Sequence, residues 1–193
     1  MLAVSRLERG DYSLNQQQHI WSEQVYSKAI ELLHERGVRL EDIGEIVKFL
    51  QEKYIPDLQM EQCLESVNAV LQKREVQNAL LTGIQLDMLA EQNKLLSPLQ
   101  EMLATDESLF GVDEVLALAI VNIYGSIGFT NYGYADKLKY GVLEKLNDKK
   151  YGVHTFLDDL VGAIAAAASS RLAHRRRHQE EELKAKNVSY PSK

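Results

Sequence analysis

The sequence predicts an all-α fold, a single-domain helical bundle in which a central apolar helix is surrounded by others. Three observations carry this. Only 3 prolines occur in 193 residues, at positions 56, 98 and 191, so nearly the whole chain is free to be helical. Apolar residues recur at three- and four-residue spacing through most of it, and no stretch alternates in the manner of a strand. With 45% hydrophobic and 26% charged residues, a chain of this length suits one buried core.

Residues 1–15 read as an N-terminal arm, 16–178 as the helical domain, and 179–193 as a charged, disordered tail. A first helix is expected from Gln16 to Arg36, with Ile20, Ile30 and Leu33 inward and Gly37 as its stop. A second, Glu41–Tyr54, puts Ile43, Ile46, Val47 and Leu50 on one stripe until Pro56 breaks it. The third, Gln59–Gln72, turns Cys63, Leu64, Val67 and Leu71 inward. The fourth, Glu75–Asn93, does the same with Val76, Leu80, Ile84 and Leu89. Ser97-Pro98-Leu99-Gln100 reads as N-cap, first helical proline and capping-box glutamine, opening a short fifth helix that ends near Thr105.

From Val115 to Ala135 the chain carries no charge. That run is long enough to span a bilayer. Its Asn122, Ser126, Thr130 and Asn131, with carboxylates on both flanks, favour instead a central helix wrapped by the others. Val115–Tyr124 is thus the expected centre of the core. A stretch near Asp136–Leu146 follows, and Thr155-Phe156-Leu157-Asp158 is a capping pattern opening the last helix, LDDLVGAIAAAASSRLAH. The small face of that helix, Gly162, Ala163, Ala166 and Ala167, suits close packing within one chain or between chains, and a homo-oligomer is expected.

Net charge is −6, unevenly placed: residues 171–193 hold seven Lys/Arg against three Glu, leaving 15 basic and 25 acidic residues on the remainder, net −10. An acidic body argues against nucleic-acid binding. Arg171–His178 reads as a solvated helix end or as a contact for anionic lipid at a membrane surface. The single cysteine, Cys63, excludes an internal disulfide framework and reads as packing. MLAVSRLERGDYSLNQ lacks the apolar run of a secretory signal, so a cytoplasmic location is expected.

Three acidic sites abut the most apolar segments: Asp113-Glu114, Asp136 and Asp158-Asp159. A charge beside a core is costly unless paired, hydrogen-bonded or metal-bound. Asp113, Asp158 and Asp159 also fit plain first-turn acids stabilised by the helix dipole. Brought together, the same oxygens suit a hard ion such as Mg²⁺, which activates water and neutralises a phosphoryl group. No H-x-x-x-H or C-x-x-C supports zinc, and neither a G-x-S-x-G elbow nor a P-loop is present.

At these residues the chain resembles the phosphatidylglycerophosphatase A family. Val112-Asp113-Glu114 is similar to its acidic pair before an apolar helix. Asp136-Lys137-Leu138-Lys139 is similar to its D-x-x-K-P, with Tyr140 in place of Pro. Asp158-Asp159-Leu160-Val161-Gly162-Ala163 is similar to its D-D opening of a small-residue helix. The stretches KREVQNALLTGIQLD, YGSIGFTNYGY and HTFLDDLVGAIAAAA resemble the soluble Gram-positive branch, which includes proteins named for a low-temperature requirement. The resemblance implies a Mg²⁺-dependent (or Mn²⁺-dependent) phosphatase acting on phosphatidylglycerol phosphate or a related monoester. It implies Asp113, Glu114, Asp136, Asp158 and Asp159 as metal ligands, with Asp136, Asp158 and Asp159 catalytic and Lys139 binding phosphate.

The family's glycine-rich N-terminal loop is missing. Residues 75–87 are the candidate to take over part of its work, since Glu75, Gln77, Asn78 and Asp87 either concentrate polar groups for a ligand or simply face solvent, Asn78 being the substrate-binding candidate. His154 reads as a general acid or as the residue before the Thr155 cap. Tyr124, Phe129, Tyr132 and Tyr134 read as packing. The alternative to the enzyme is a non-catalytic regulatory or interaction module that keeps the fold.

Overall fold

The computed structural model describes residues 21–187, and among them no strand forms. The helices are α1 (Ser22–Glu35), α2 (Leu40–Gln51), α3 (Met60–Leu71), α4 (Arg74–Glu91), α5 (Leu99–Thr105), α6 (Val112–Val121), α7 (Gly125–Leu138), α8 (Val142–Leu146) and α9 (Leu157–Asn187). The arm at 1–15 and the expected first turns of α1 lie outside the described residues.

The first three helices begin at residues with little capping ability, and the side chain three positions on compensates. Gln24, Asp42 and Gln62 accept the backbone N–H of Trp21, Arg39 and Gln59 at 3.2, 2.8 and 2.9 Å. Gly37 ends α1 as expected: it takes φ +78°, and Val38 N–H returns to Leu33 O at 2.9 Å. At the fifth helix the expected cap is displaced. The helix begins at Leu99, and the Gln100 amide accepts from Leu95 N–H at 3.0 Å and donates to Ala90 O at 2.9 Å, tying α5 to the end of α4.

A central apolar helix surrounded by others is present, but it is α9 rather than the uncharged run. Residues 156–170 of α9 and its entry are buried apart from the partly exposed Asp158, and α2, α3, α4, α6, α7 and α8 all pack on α9. Its small face, Gly162, Ala163, Ala166 and Ala167, is consumed within the chain. Neighbours come close: a Cβ on Gly83 of α4 would sit 2.5 Å from a Leu160 methyl and 2.9 Å from Phe156 Cβ. Ser66 of α3 donates to Ala168 O at 2.8 Å.

The uncharged run corrects the expectation. It is two helices, α6 and α7, joined by a 3₁₀ turn at Asn122–Tyr124 and by Gly125 at φ +73°. One side rests on α9, and the other faces outward with Val115 at 65% exposure and Ile123, Ile127 and Phe129 also exposed. Val112–Leu138 is long and apolar enough to cross a membrane by length and composition, and only 28% of its most apolar window is buried. At the other end, α9 continues through Asn187, so no break marks the expected tail at 179, and i,i+4 pairs Arg176–Glu180 and Arg177–Glu181 line that extension.

Candidate functional site

The amino end of α9 is held from outside its own segment. Asp87, buried on α4, accepts the backbone N–H groups of Phe156 and Leu157 at 3.1 and 3.0 Å. Burial pushes its carboxyl up to about 8, against the pull of those two bonds. The expected Thr155 cap is not made; Thr155 Oγ1 donates to Leu103 O at 2.8 Å and fastens α5 to the start of α9.

With its start fixed, α9 presents Asp158 and Asp159 in its first turn. Lys139 reaches them from the end of α7, where it adopts a left-handed conformation at φ +48°. Its Nζ lies 2.6 Å from Asp136 Oδ1 and 2.9 Å from Asp158 Oδ2. Burial opposes the ammonium's charge, but Asp158 and Asp136 more than offset it, and its pKa is raised. The Asp158 carboxyl is pushed up by burial and drawn back by Lys139.

Asp159 has no such cation in contact. Burial and then the neighbouring Asp158 push it up to about 7. It faces Tyr132, whose hydroxyl is buried and closes no hydrogen bond of ordinary geometry, and whose ionisation is suppressed first by burial and then by Asp159. Asp136 and Glu114 add to that suppression, which places both in the field of the same ring. Asp113 is buried, accepts Glu114 N–H at 2.9 Å, and is pushed up by burial. Asp106, which the sequence did not single out, lies near enough to raise both Asp113 and Asp158.

Of the sequence-predicted acids, Asp136 and Asp158 are bridged by Lys139 and Asp159 adjoins Asp158, while Asp113 is buried and Glu114 exposed in the first turn of α6. Carboxylate oxygens are the donors a hard divalent cation takes, and here Lys139 already supplies cationic charge between Asp136 and Asp158. Among the described residues no three of His, Cys, Asp and Glu lie together as a ready-made metal cage. Asn78 is not brought here. It is exposed on α4, about 13 Å along the helix from Asp87 at 1.5 Å per residue. Glu75 is exposed too, while Gln77 is buried and donates to Leu71 O at 2.9 Å.

A cavity of about 320 Å³ opens on Asp158, with Glu91, Asp106, Lys149, Gly152 and His154 on its walls. Arg36 holds Glu91 through two bonds of 2.7 and 2.8 Å and donates to Val153 O at 2.8 Å, while Val153 N–H donates to Glu91 at 2.8 Å. These pairings span 55 to 117 residues of sequence. His154 is 8% exposed, and its Nδ1 lies 3.1 Å from Leu146 O. A carbonyl only accepts, so Nδ1 carries the proton and Nε2 of the neutral ring is an acceptor. Burial and then Arg36 depress its pKa, which disfavours the protonated ring that a general acid would need.

The family model described as Phosphatidylglycerophosphatase A matches residues 33–174. Over 158 residues the chain is 68% identical to "Uncharacterized protein YutG" of Bacillus subtilis (strain 168), covering 81% of this chain and 95% of that protein. The crystal structure of low temperature requirement C protein from Listeria monocytogenes superposes with a TM-score of 0.78 at 62% identity, covering 79% of this chain and 97% of that one. The protein ypjQ from Bacillus subtilis superposes at 0.80 with 50% identity, covering 83% and 99%.

Proposed function

Because the chain belongs to the phosphatidylglycerophosphatase A family, we propose that it is a Mg²⁺-dependent phosphatase hydrolysing a phosphomonoester such as phosphatidylglycerol phosphate. The observation that carries this reading is the Asp136–Lys139–Asp158 bridge, with Asp159 beside it pushed up to about 7. Asp113, Glu114, Asp136, Asp158 and Asp159 would hold the metal. A Mg²⁺ held there would polarise a phosphoryl oxygen and make water a better nucleophile. Lys139 offers its ammonium to the phosphoryl group, and Asp136 and Asp158 hold it in place.

The chain's departure from the family pattern is compatible with this. Tyr140, in the position of the motif's proline, stacks on Phe49 with ring centroids 4.1 Å apart. It is used in packing between α2 and the turn after α7, beside the bridge rather than within it. The exposed face of α6 and α7 supports assembly into a homo-oligomer or contact with the inner face of the membrane, in a cytoplasmic protein. The second reading, a non-catalytic module, draws on the lack of a ready-made three-ligand group among the described residues.

The test is phosphate release from phosphatidylglycerol phosphate and from glycerol 3-phosphate, with Mg²⁺ and with EDTA, for the native chain and Asp159→Asn. Release that needs Mg²⁺ and is lost in the variant supports the phosphatase. No release from either ester leaves the module.

A further inference from the structure

We infer that the cleft between α2, α7 and the outer half of α9 is a second binding site, for an uncharged molecule carrying an amide or lactam group on an apolar ring, with Gln51 as the side chain that reads the amide. Ala173, on the cleft wall, stands about 22 Å along α9 from Asp158 at 1.5 Å per residue, so this site is separate from the Lys139 bridge and does not rest on the phosphatase reading.

The cleft encloses about 430 Å³. Ile55, Ile127 and Ala173 give it apolar walls, and Gln51 and Asn131 enter it from α2 and α7. Gln51 ends α2 and is only 3% exposed, yet its side-chain amide makes no hydrogen bond among the described residues. The Asn131 amide makes none either, and its Nδ2 is buried without a partner. The neighbouring Thr130 hydroxyl cannot donate to them, because it donates to Ser126 O at 3.2 Å. A buried amide without partners costs free energy. Two of them, from two helices and on one cleft, mark a place where a ligand supplies what the fold does not. A half-turn of either amide exchanges its nitrogen and oxygen, so each can present a donor or an acceptor.

The remaining wall decides the ligand's charge. Arg176, Arg177 and Glu180 of α9 stand there. Arg176 Nε donates to Glu180 at 3.0 Å and Arg177 Nε to Glu181 at 3.1 Å, while Arg176 Nη1 donates to Tyr54 O. An anion would have to displace these carboxylates or lie beside Glu180, and a cation would meet two guanidinium groups. A plain hydrocarbon would suit Ile55 and Ile127 but leave Gln51 without partners. The complement of an amide is another amide, donor to acceptor and acceptor to donor in one plane, and the apolar walls suit a ring behind it. A volume of about 430 Å³ lies in the lower part of the range for small-molecule pockets, which sets the size at one or two rings.

The experiment titrates ¹⁵N-labelled full chain with three probes of one shape: benzamide, isopropenylbenzene, which lacks the polar atoms, and benzoate, which carries a charge. The side-chain amide resonances of Gln51 and Asn131, identified by their loss in Gln51→Met and Asn131→Leu, locate the bound probe. Benzamide should perturb both and bind at least about tenfold more tightly than isopropenylbenzene or benzoate. Gln51→Met should weaken benzamide to the level of isopropenylbenzene and leave the latter unchanged or tighter. The native series alone decides the matter if a variant does not fold. Equal affinity for benzamide and isopropenylbenzene, tighter binding of benzoate, perturbation confined to other residues, or no benzamide binding at millimolar concentration would each overturn the inference. So would resonances of Gln51 and Asn131 that move with protein concentration and not with benzamide, which would give the cleft to a second copy of the chain. None of these outcomes bears on phosphate release, so failure here leaves the phosphatase reading intact.

Discussion

The Asp87 carboxylate of α4 receives the Leu157 backbone N–H at 3.0 Å, so the helix carrying the candidate site is capped by a residue 70 positions upstream. The first N–H groups of a helix have no partner within it. Here a buried acid supplies one, and the position of Asp158 and Asp159 therefore depends on how α4 packs against α9.

This relationship makes stability depend on pH. The unfolded Asp87 ionises near 4, roughly the ordinary aspartate value, and the native one at about 8. Between these limits the native state holds more protons than the unfolded chain, so its contribution to stability falls as pH rises and levels off above 8. Asp87→Asn keeps an oxygen for both N–H groups and removes the titration. The variant should match native protein at pH 4 and be equally or more stable at pH 8, measured as urea midpoints. Asp87→Ala should lose about 1–2 kcal/mol by removing the cap. A Asp87→Asn variant weakened equally at every pH would contradict the assignment.

Much of the fold was legible because its signals are local. Gly37, Pro56 and the apolar stripes of α1 to α4 act within a turn or two of themselves. The centre of the fold was not. Hydropathy favours VLALAIV over LVGAIAAAA because it rewards large side chains, whereas the central helix must admit neighbours on every side. Gly162 and the alanines of α9 do that, and Val115 is left facing outward. At the site, Asp136, Lys139 and Asp158 were legible as ordered motifs. Asp87 stood out only as one of several polar residues on α4 and not as a helix cap, and Arg36 and Glu91 not at all, since their partners lie 55 to 117 residues away and leave no periodic trace. A buried-looking acid in an apolar helix, as Asp87 is, was the one available hint.

The outward face of α6 and α7 leads to a prediction about assembly. Val115, Ile123, Ile127 and Phe129 are exposed on a segment with mean hydropathy 1.5 over its most apolar window. A stable interface needs about 800 Å² from each partner, and an uncharged face of this length is the natural source. Light scattering should give a mass of at least twice 21.9 kDa at micromolar concentration. Val115→Asp with Ile127→Asp should return it to 21.9 kDa without loss of helicity. A native monomer that instead floats with anionic vesicles would assign this face to a membrane.

The last prediction separates metal holding from plain helix stabilisation, using the unequal surroundings of the two adjacent aspartates. Asp158 has Lys139 at 2.9 Å, whereas Asp159 is buried beside Asp158 with no cation in contact and is pushed up to about 7. Removing the Asp158 charge leaves Lys139 with Asp136 alone, so Asp158→Asn should cost about 1–2 kcal/mol in metal-free protein. Removing the Asp159 charge relieves repulsion, so metal-free Asp159→Asn should be equally or more stable. Divalent metal binding only the folded arrangement should raise the native melting temperature progressively with concentration. Both variants should blunt that rise, since each takes an oxygen ligand from the set. Melting curves with EDTA, Mg²⁺ and Mn²⁺ read all of these effects. If both aspartates served only the helix dipole, both variants would lose a few tenths of a kcal/mol and up to about 1 kcal/mol, in either case with no metal response in native protein. A native melting temperature indifferent to millimolar Mg²⁺ and Mn²⁺, with that symmetric loss, would remove the metal from the site.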